Sequence, residues 1–149
     1  MRAYLSLPEN GASPQVAAAI RDALREAGHD AIEAPRAATP GVTKSDTTGA
    51  ATPVHLGGFG RLERDAFLLA VDRLHEADIL IAEVSAPSMA VGWEVAWFLA
   101  RGRLVILCCG KDARQMLSSM LAGNPSPWQK LVLYDDVASL QAQLVALLR

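Results

Sequence analysis

Two hydrophobic periods alternate along the chain. Ile79–Ala82 and Leu104–Cys109 are continuously apolar, and Ala3–Leu7, His29–Glu33 and Leu131–Tyr134 read as companion strands. Unbroken apolar runs of this length mark strands covered on both faces, as in parallel sheets. Between them lie segments of helical period. Pro14–Ala27 places Val16, Ala19, Ile20, Ala23 and Leu24 on one stripe, with Arg21, Asp22, Arg25 and Glu26 outside it. Ser13 followed by Pro14 is an N-terminal signal, and Gly28 a C-terminal stop. A second helix is expected over Arg61–Ala77, with Leu62, Leu69 and Leu74 among its inward candidates. A third follows Ser88, a fourth spans Ala113–Leu121, and a fifth runs to Arg149 behind the capping candidates Asp135 and Asp136.

Alternating strands and helices predict a single α/β domain over residues 1–149, a doubly wound five-stranded parallel sheet with helices on both faces. Such sheets bind ligands beyond the carboxyl ends of the strands, where the strand order switches. The loops Pro8–Gly11 and Ser85–Ala90 belong to that edge. Residues 35–60 are rich in Gly, Pro, Thr and Ala, have no period, and form a loop long enough to be a lid, a binding loop or an insert. Glycines 57, 58 and 60 lack the strand-to-helix spacing of a phosphate loop.

The helix after Ser88 is apolar almost all round, which predicts burial. It carries one carboxylate, Glu94, between Trp93 and Val95. Glutamate is rarely buried without a partner, and an unpaired buried carboxylate is costly. Glu94 therefore has a dedicated partner or faces a cleft, and the cleft is expected.

Composition narrows the partners. With 51% hydrophobic residues, 20% charged and a formal net charge of -2, the chain has no basic excess to attract a nucleic acid or a membrane surface. No apolar run approaches the roughly 20 residues of a membrane helix, and the first residues read as a strand rather than a signal peptide. Cys108 and Cys109 are adjacent on a strand and point to opposite faces, so they read as packing residues in a reducing cytoplasm. His29, His55 and His75 have no metal-ligand spacing. Asp78 and Glu83 read as strand-end residues, and no cofactor is expected.

The run AEVSAPSMAVGWEVAWFLARG, continued by RLVILCCGKDARQMLSSMLAG, resembles the signature of the nucleoside 2-deoxyribosyltransferase-like superfamily, within it most nearly the 2'-deoxynucleoside 5'-phosphate N-hydrolases. The N-terminal half agrees mainly in layout. The resemblance implies that Glu94 is a nucleophile attacking C1' of a deoxyribose and forming a glycosyl-enzyme ester, which water or a second base resolves. It implies that Tyr4 lines the sugar pocket, that Ser88 and Gly92 sit at the substrate's phosphate end, and that Ser118 reaches the same phosphate across a homodimer interface. Ser88 reads independently as a helix N-cap, a place where anions are bound readily. The partner so implied is a small nucleoside or nucleotide.

Two departures from the family pattern bear on function. Where the nucleotide hydrolases carry a Gly-Ser-Ile-Arg-Gly-Gly type loop, this chain has Leu5-Ser6-Leu7-Pro8-Glu9-Asn10-Gly11. The arginine is absent, Pro8 removes an amide donor, and Glu9 repels an anion, which favours a nucleoside or a modified ligand over a monophosphate. The family's helper aspartate lies eight residues before the one matching Asp78, and that position is Ala70 here. Asp72, two places later, becomes the catalytic acid only if the helix shifts; Asp65 shares its face, seven residues away. The competing expectation is a nucleoside- or nucleotide-binding module that kept the pocket and lost the acid. A receiver-like domain is disfavoured, because Ser6-Leu7-Pro8 supplies no acidic cluster.

Overall fold

The computed structural model describes residues 1–33 and 64–149 in full and the backbone of 61–63. The expected loop over 35–60, its glycines 57, 58 and 60, His55 and the Leu62 side chain lie outside the described residues. Five strands, β1 (Arg2–Ser6), β2 (Asp30–Glu33), β3 (Ile79–Glu83), β4 (Leu104–Gly110) and β5 (Gln129–Tyr134), form one all-parallel sheet in the order β2-β1-β3-β4-β5. The order reverses between β1 and β3. Helices α1 (Pro14–Glu26) and α5 (Val137–Leu148) cover one face. Helices α2 (Arg61–Glu76) and α3 (Met89–Leu99) cover the other.

Strand alternation sorts the core. Ala3, Leu5, Ile79, Ile81, Ile106 and Cys108 pack toward α1 and α5. Tyr4, Leu80, Ala82, Val105, Leu107 and Cys109 face the other layer. The adjacent thiols thus fall on opposite faces, as a period of two requires. Helix α1 buries all five residues of its expected stripe. Its end is closed by amides of Gly28 and His29 on the carbonyls of Arg25 and Leu24, with Gly28 at φ 75°. Ser13 occupies the N-cap, but its side chain makes no capping bond. The carboxyl end of α2 is held from a distance: the Arg103 guanidinium donates to the carbonyl of Ala77 at 2.9 Å and of Leu74 at 3.3 Å.

Three local expectations differ from the fold. Leu74 is fully buried, but Leu69 is 43% exposed. Five residues of α-helix rotate a side chain by about 140° relative to Leu74, so Leu69 leaves the inward stripe that Ala70, Val71 and Leu74 occupy. The helix expected over Ala113–Leu121 is split into a 3-10 helix, Lys111–Met116, and a single turn, α4 (Ser119–Ala122). Buried Leu117 is extended between them, and Ser118 caps α4 by accepting from the Met120 amide at 3.3 Å. Helix α3 is not enclosed on every side either. It buries Val91, Glu94, Val95 and Phe98 while Met89 is 95% exposed and Trp93 is exposed.

At the carboxyl edge the loops after β1 and β3 touch. Gly11 has φ 95°, and a Cβ there would lie 2.9 Å from Ala86 Cβ. Only glycine allows both the left-handed backbone and the approach. At the opposite end of α3, Trp128 packs by Gly102, whose Cβ would stand 3.5 Å from its indole nitrogen.

Candidate active site

The β1 residues Tyr4 and Ser6, two apart, point to the same face as Leu80 and Ala82 of β3, toward α3. Glu94 comes down from α3 to meet them. The Tyr4 hydroxyl donates to Glu94 Oε1 at 2.7 Å and the Ser6 hydroxyl to Oε2. All three residues are buried. The carboxylate thus has the dedicated partners that the sequence offered as one alternative. The resemblance implies Tyr4 as a lining of the sugar pocket rather than as a partner of Glu94, and Ser6 is not among the expected site residues.

Burial pushes the Glu94 carboxyl above its ordinary range, and the hydroxyls of Ser6 and Tyr4 pull it partly back by bonding the charged form. The Tyr4 phenol is raised, first by burial and then by the charge of Glu94 beside it. A carboxylate held between two neutral hydroxyls is oriented without being neutralised by a cation, a state suited to a nucleophile.

On the other flank of α3 lies a cleft of about 510 Å³, lined in part by Ser88, Met89, Gly92, Met116, Ser118 and Met120. Ser88, Gly92 and Ser118 therefore line one cleft, whose wall also includes Val95, the α3 neighbour of Glu94. Ser88 caps α3 as expected, accepting from the Val91 amide at 3.3 Å. A smaller recess, about 360 Å³, is lined by Glu9, Asn10, Pro87, Ser88, Met89 and Ala90. Glu9 is the charged residue of this recess. Asp72 and Asp65 are exposed on α2, and Ala70 is half-buried.

Glu83 is not the simple strand-end residue the sequence suggested. It is buried, and its Oε1 accepts from the Ser85 amide at 3.0 Å and the Tyr134 hydroxyl at 3.3 Å. Ser85 Oγ in turn accepts from the Gly110 amide at 2.8 Å. This network ties the β3–α3 loop, which carries Ser88, to the ends of β4 and β5. Burial and the neighbouring Glu83 charge push the Tyr134 phenol up to about 12, against the pull of Ser85. Asp78 keeps its strand-end role, accepting from the Arg2 amide at 2.7 Å. His75 packs edge-on to Trp97 with ring centroids 4.9 Å apart. Among the described residues no group of three His, Cys, Asp or Glu side chains is arranged to hold a metal ion.

No family model matches the chain. It is similar in sequence to proteins provisionally named 2'-deoxynucleoside 5'-phosphate N-hydrolase 1. It is 41% identical to the Thermofilum pendens protein over 78 residues, covering 52% of this chain and 54% of that one. To the Syntrophotalea carbinolica protein it is 37% identical over 83 residues, 54% of this chain and 57% of that one. To the Methanosarcina mazei protein it is 29% identical over 130 residues, 87% of this chain and 71% of that one. The chain thus spans little more than half the length of the first two relatives. Its fold is that of a Clostridium botulinum CMP N-glycosidase, with TM-score 0.63, 16% identity and 99% of each chain covered. It is likewise that of a 2-deoxyribosyltransferase from Bacillus psychrosaccharolyticus, with TM-score 0.62, 17% identity, and 97% of this chain and 96% of that one covered.

Proposed function

We propose that this chain, similar in sequence to proteins named for 2'-deoxynucleoside 5'-phosphate N-hydrolysis and folded like a 2-deoxyribosyltransferase, is a member of the nucleoside 2-deoxyribosyltransferase-like superfamily and breaks the N-glycosidic bond of a (deoxy)nucleoside or its 5'-monophosphate through Glu94. The observation that carries the reading is the buried Glu94 carboxylate held by Tyr4 and Ser6 on the sheet face beside the strand-order switch. In the first step a carboxylate oxygen forms a bond to C1' while the C1'–N bond breaks and its electron pair leaves with the base, which takes up a proton. In the second, water attacks C1', the ester bond breaks, and Glu94 regains its charge as the water's proton is released. A second base in place of water makes the same chemistry a transfer.

Asp72 is the proposed proton donor to the leaving base, being the α2 carboxylate nearest in sequence to the expected position at Ala70. Asp72→Asn should then lower kcat by about 10²–10⁴-fold. Its exposure favours a second reading, a nucleoside-binding protein without turnover. The phosphate end of the substrate is assigned to Ser88, Gly92 and Ser118. Glu9 in the smaller recess supports a neutral 5'-hydroxyl over a phosphate, because an anion there would meet a carboxylate.

The protein works as one domain over residues 1–149 and as a homodimer in the cytoplasm. The dimer is supported by an apolar rim on the larger cleft, where Met116 is 62% and Met120 80% exposed. The cytoplasm is supported by two buried free thiols.

The test is incubation with ribo- and deoxyribonucleosides and their 5'-monophosphates, following free base by chromatography, beside Glu94→Ala. Release abolished in the variant, with a glycosyl mass adduct on Glu94 in the parent, is the expected result. No release from any compound, with ligand-induced thermal shifts retained, would leave the binding reading.

A further inference from the structure

Ser6 stands where the sheet needs no hydroxyl. It is the last residue of β1, fully buried, in register with Ala82 of β3 and on the apolar face that packs against α3. A buried hydroxyl without a partner is destabilising, so an alanine would serve the core better unless the oxygen has a task. Its partner is Glu94 Oε2. Tyr4, which occupies Oε1, lies two residues further from the carboxyl edge, roughly 6–7 Å along the strand. The two hydroxyls therefore bracket the carboxylate along β1, and Ser6 is the member toward the ligand-binding edge.

We propose that Ser6 is a positioning residue for Glu94, fixing the edge-side oxygen of the carboxylate while Tyr4 fixes the other. The proposal rests on the reading of Glu94 as nucleophile. A carboxylate with one bonded oxygen can swing about its last torsion, which is broad and poorly restrained. With both oxygens bonded it presents one orientation before substrate arrives, which is where much of the advantage of a fixed nucleophile lies. The second bond also favours the charged form in a buried setting.

Among the described residues few groups share that duty. Tyr4 is the titratable group that β1 brings to Glu94, and α3 has no second one. On α2, Arg64, Asp65, Asp72, Arg73, His75 and Glu76 are all exposed. Glu83 of β3 points to the opposite sheet face.

The test compares the parent with Ser6→Ala and Ser6→Cys, the latter keeping nearly the same size with only a weak donor. Glu94 protonation is followed by infrared difference spectroscopy against Glu94→Gln, and base release is followed as a function of pH. In Ser6→Ala the Glu94 midpoint and the acid limb of kcat should both move up by roughly one pH unit, the scale of one hydrogen bond to a charged group. Ser6→Cys should fall between, which keeps the test open if the alanine variant folds poorly. An unmoved midpoint in both folded variants would overturn the proposal. A spectroscopic shift in a parent that releases no base would uphold Ser6 as the holder of Glu94 while the hydrolase reading failed.

Discussion

Replacing Glu94 by glutamine should abolish turnover and stabilise the fold at neutral pH. The glutamine amide is nearly isosteric. Its oxygen can accept from Tyr4, and its NH2 can donate to Ser6, whose hydroxyl serves equally as acceptor. What disappears is the charge. The carboxyl is raised in the folded protein, chiefly by burial and against the pull of the two hydroxyls. For an acid shifted upward, the favourable contribution to stability is complete below the unfolded-state value, about 4.3, and is lost as pH rises through the folded value. At pH 7 the native protein therefore carries the cost of a buried charge, and glutamine removes it. The gain should be about 0.5–2 kcal/mol, the usual size of a function-for-stability exchange. In a chain of this length that is worth roughly 2–4 °C in Tm per kcal/mol.

Alanine at the same position should act in the opposite direction. It strands two buried hydroxyls at about 1–3 kcal/mol each, before any cavity is counted. Urea unfolding of parent, Glu94→Gln and Glu94→Ala at pH 7 and again near pH 4 gives the four differences needed. The glutamine gain should shrink at the lower pH, because the parent then folds with a protonated carboxyl. A glutamine variant no more stable than the parent at pH 7, or a gain unchanged at pH 4, would refute the electrostatic argument.

Gly11→Ala should lose about 1–3 kcal/mol in urea unfolding, because it meets both a φ of 95° and an Ala86 Cβ at 2.9 Å; a change within 0.5 kcal/mol would mean the two loops separate freely. Tyr134→Phe removes one donor to buried Glu83 and should cost about 1 kcal/mol, whereas Glu83→Ala, which also frees the Ser85 amide, should cost more and weaken ligand binding through the loop that carries Ser88. Thermal shifts with and without nucleoside separate those effects, and equal stability losses in the two variants would argue against a network. If the proposed homodimer forms through the exposed rim of the larger cleft, Met120→Asp puts a charge there and should convert a dimeric parent to monomers by sedimentation with little change in Tm; a monomeric parent, or an unchanged sedimentation coefficient, would refute a dimer built on this rim.

What could be read from the chain follows the range of each interaction. The α1 stripe, the Gly28 stop, the caps at Ser88 and Asp136 and the facing of Cys108 and Cys109 depend on residues a few positions apart. Period and local chemistry are enough for them. Leu69 departs from its expected inward place because Phe67, Leu68 and Leu69 form a consecutive apolar run whose phase is ambiguous, and Leu74 alone does not fix the phase. The 3-10 segment was missed because Ser118 caps a new turn where the period suggested continuation. Glu94 stood out locally as a single charge in an apolar helix.

The partners that give Glu94 its character lie 90 and 88 residues away, and Glu83 meets Tyr134 across 51. No spacing rule reaches that far, yet parity does once the sheet is known. If Tyr4 is accepted as facing α3, Ser6 must face it too, and a buried serine beside a buried carboxylate can hardly avoid bonding it. The same parity assigns Glu83 to the other face, so Glu83 and Glu94, the two carboxylates buried among the described residues, are insulated by the sheet itself. That separation commits Glu83 to holding the β3–α3 loop and leaves Glu94 free for the chemistry proposed for it. A substitution at Glu83 should accordingly leave the Glu94 titration unmoved.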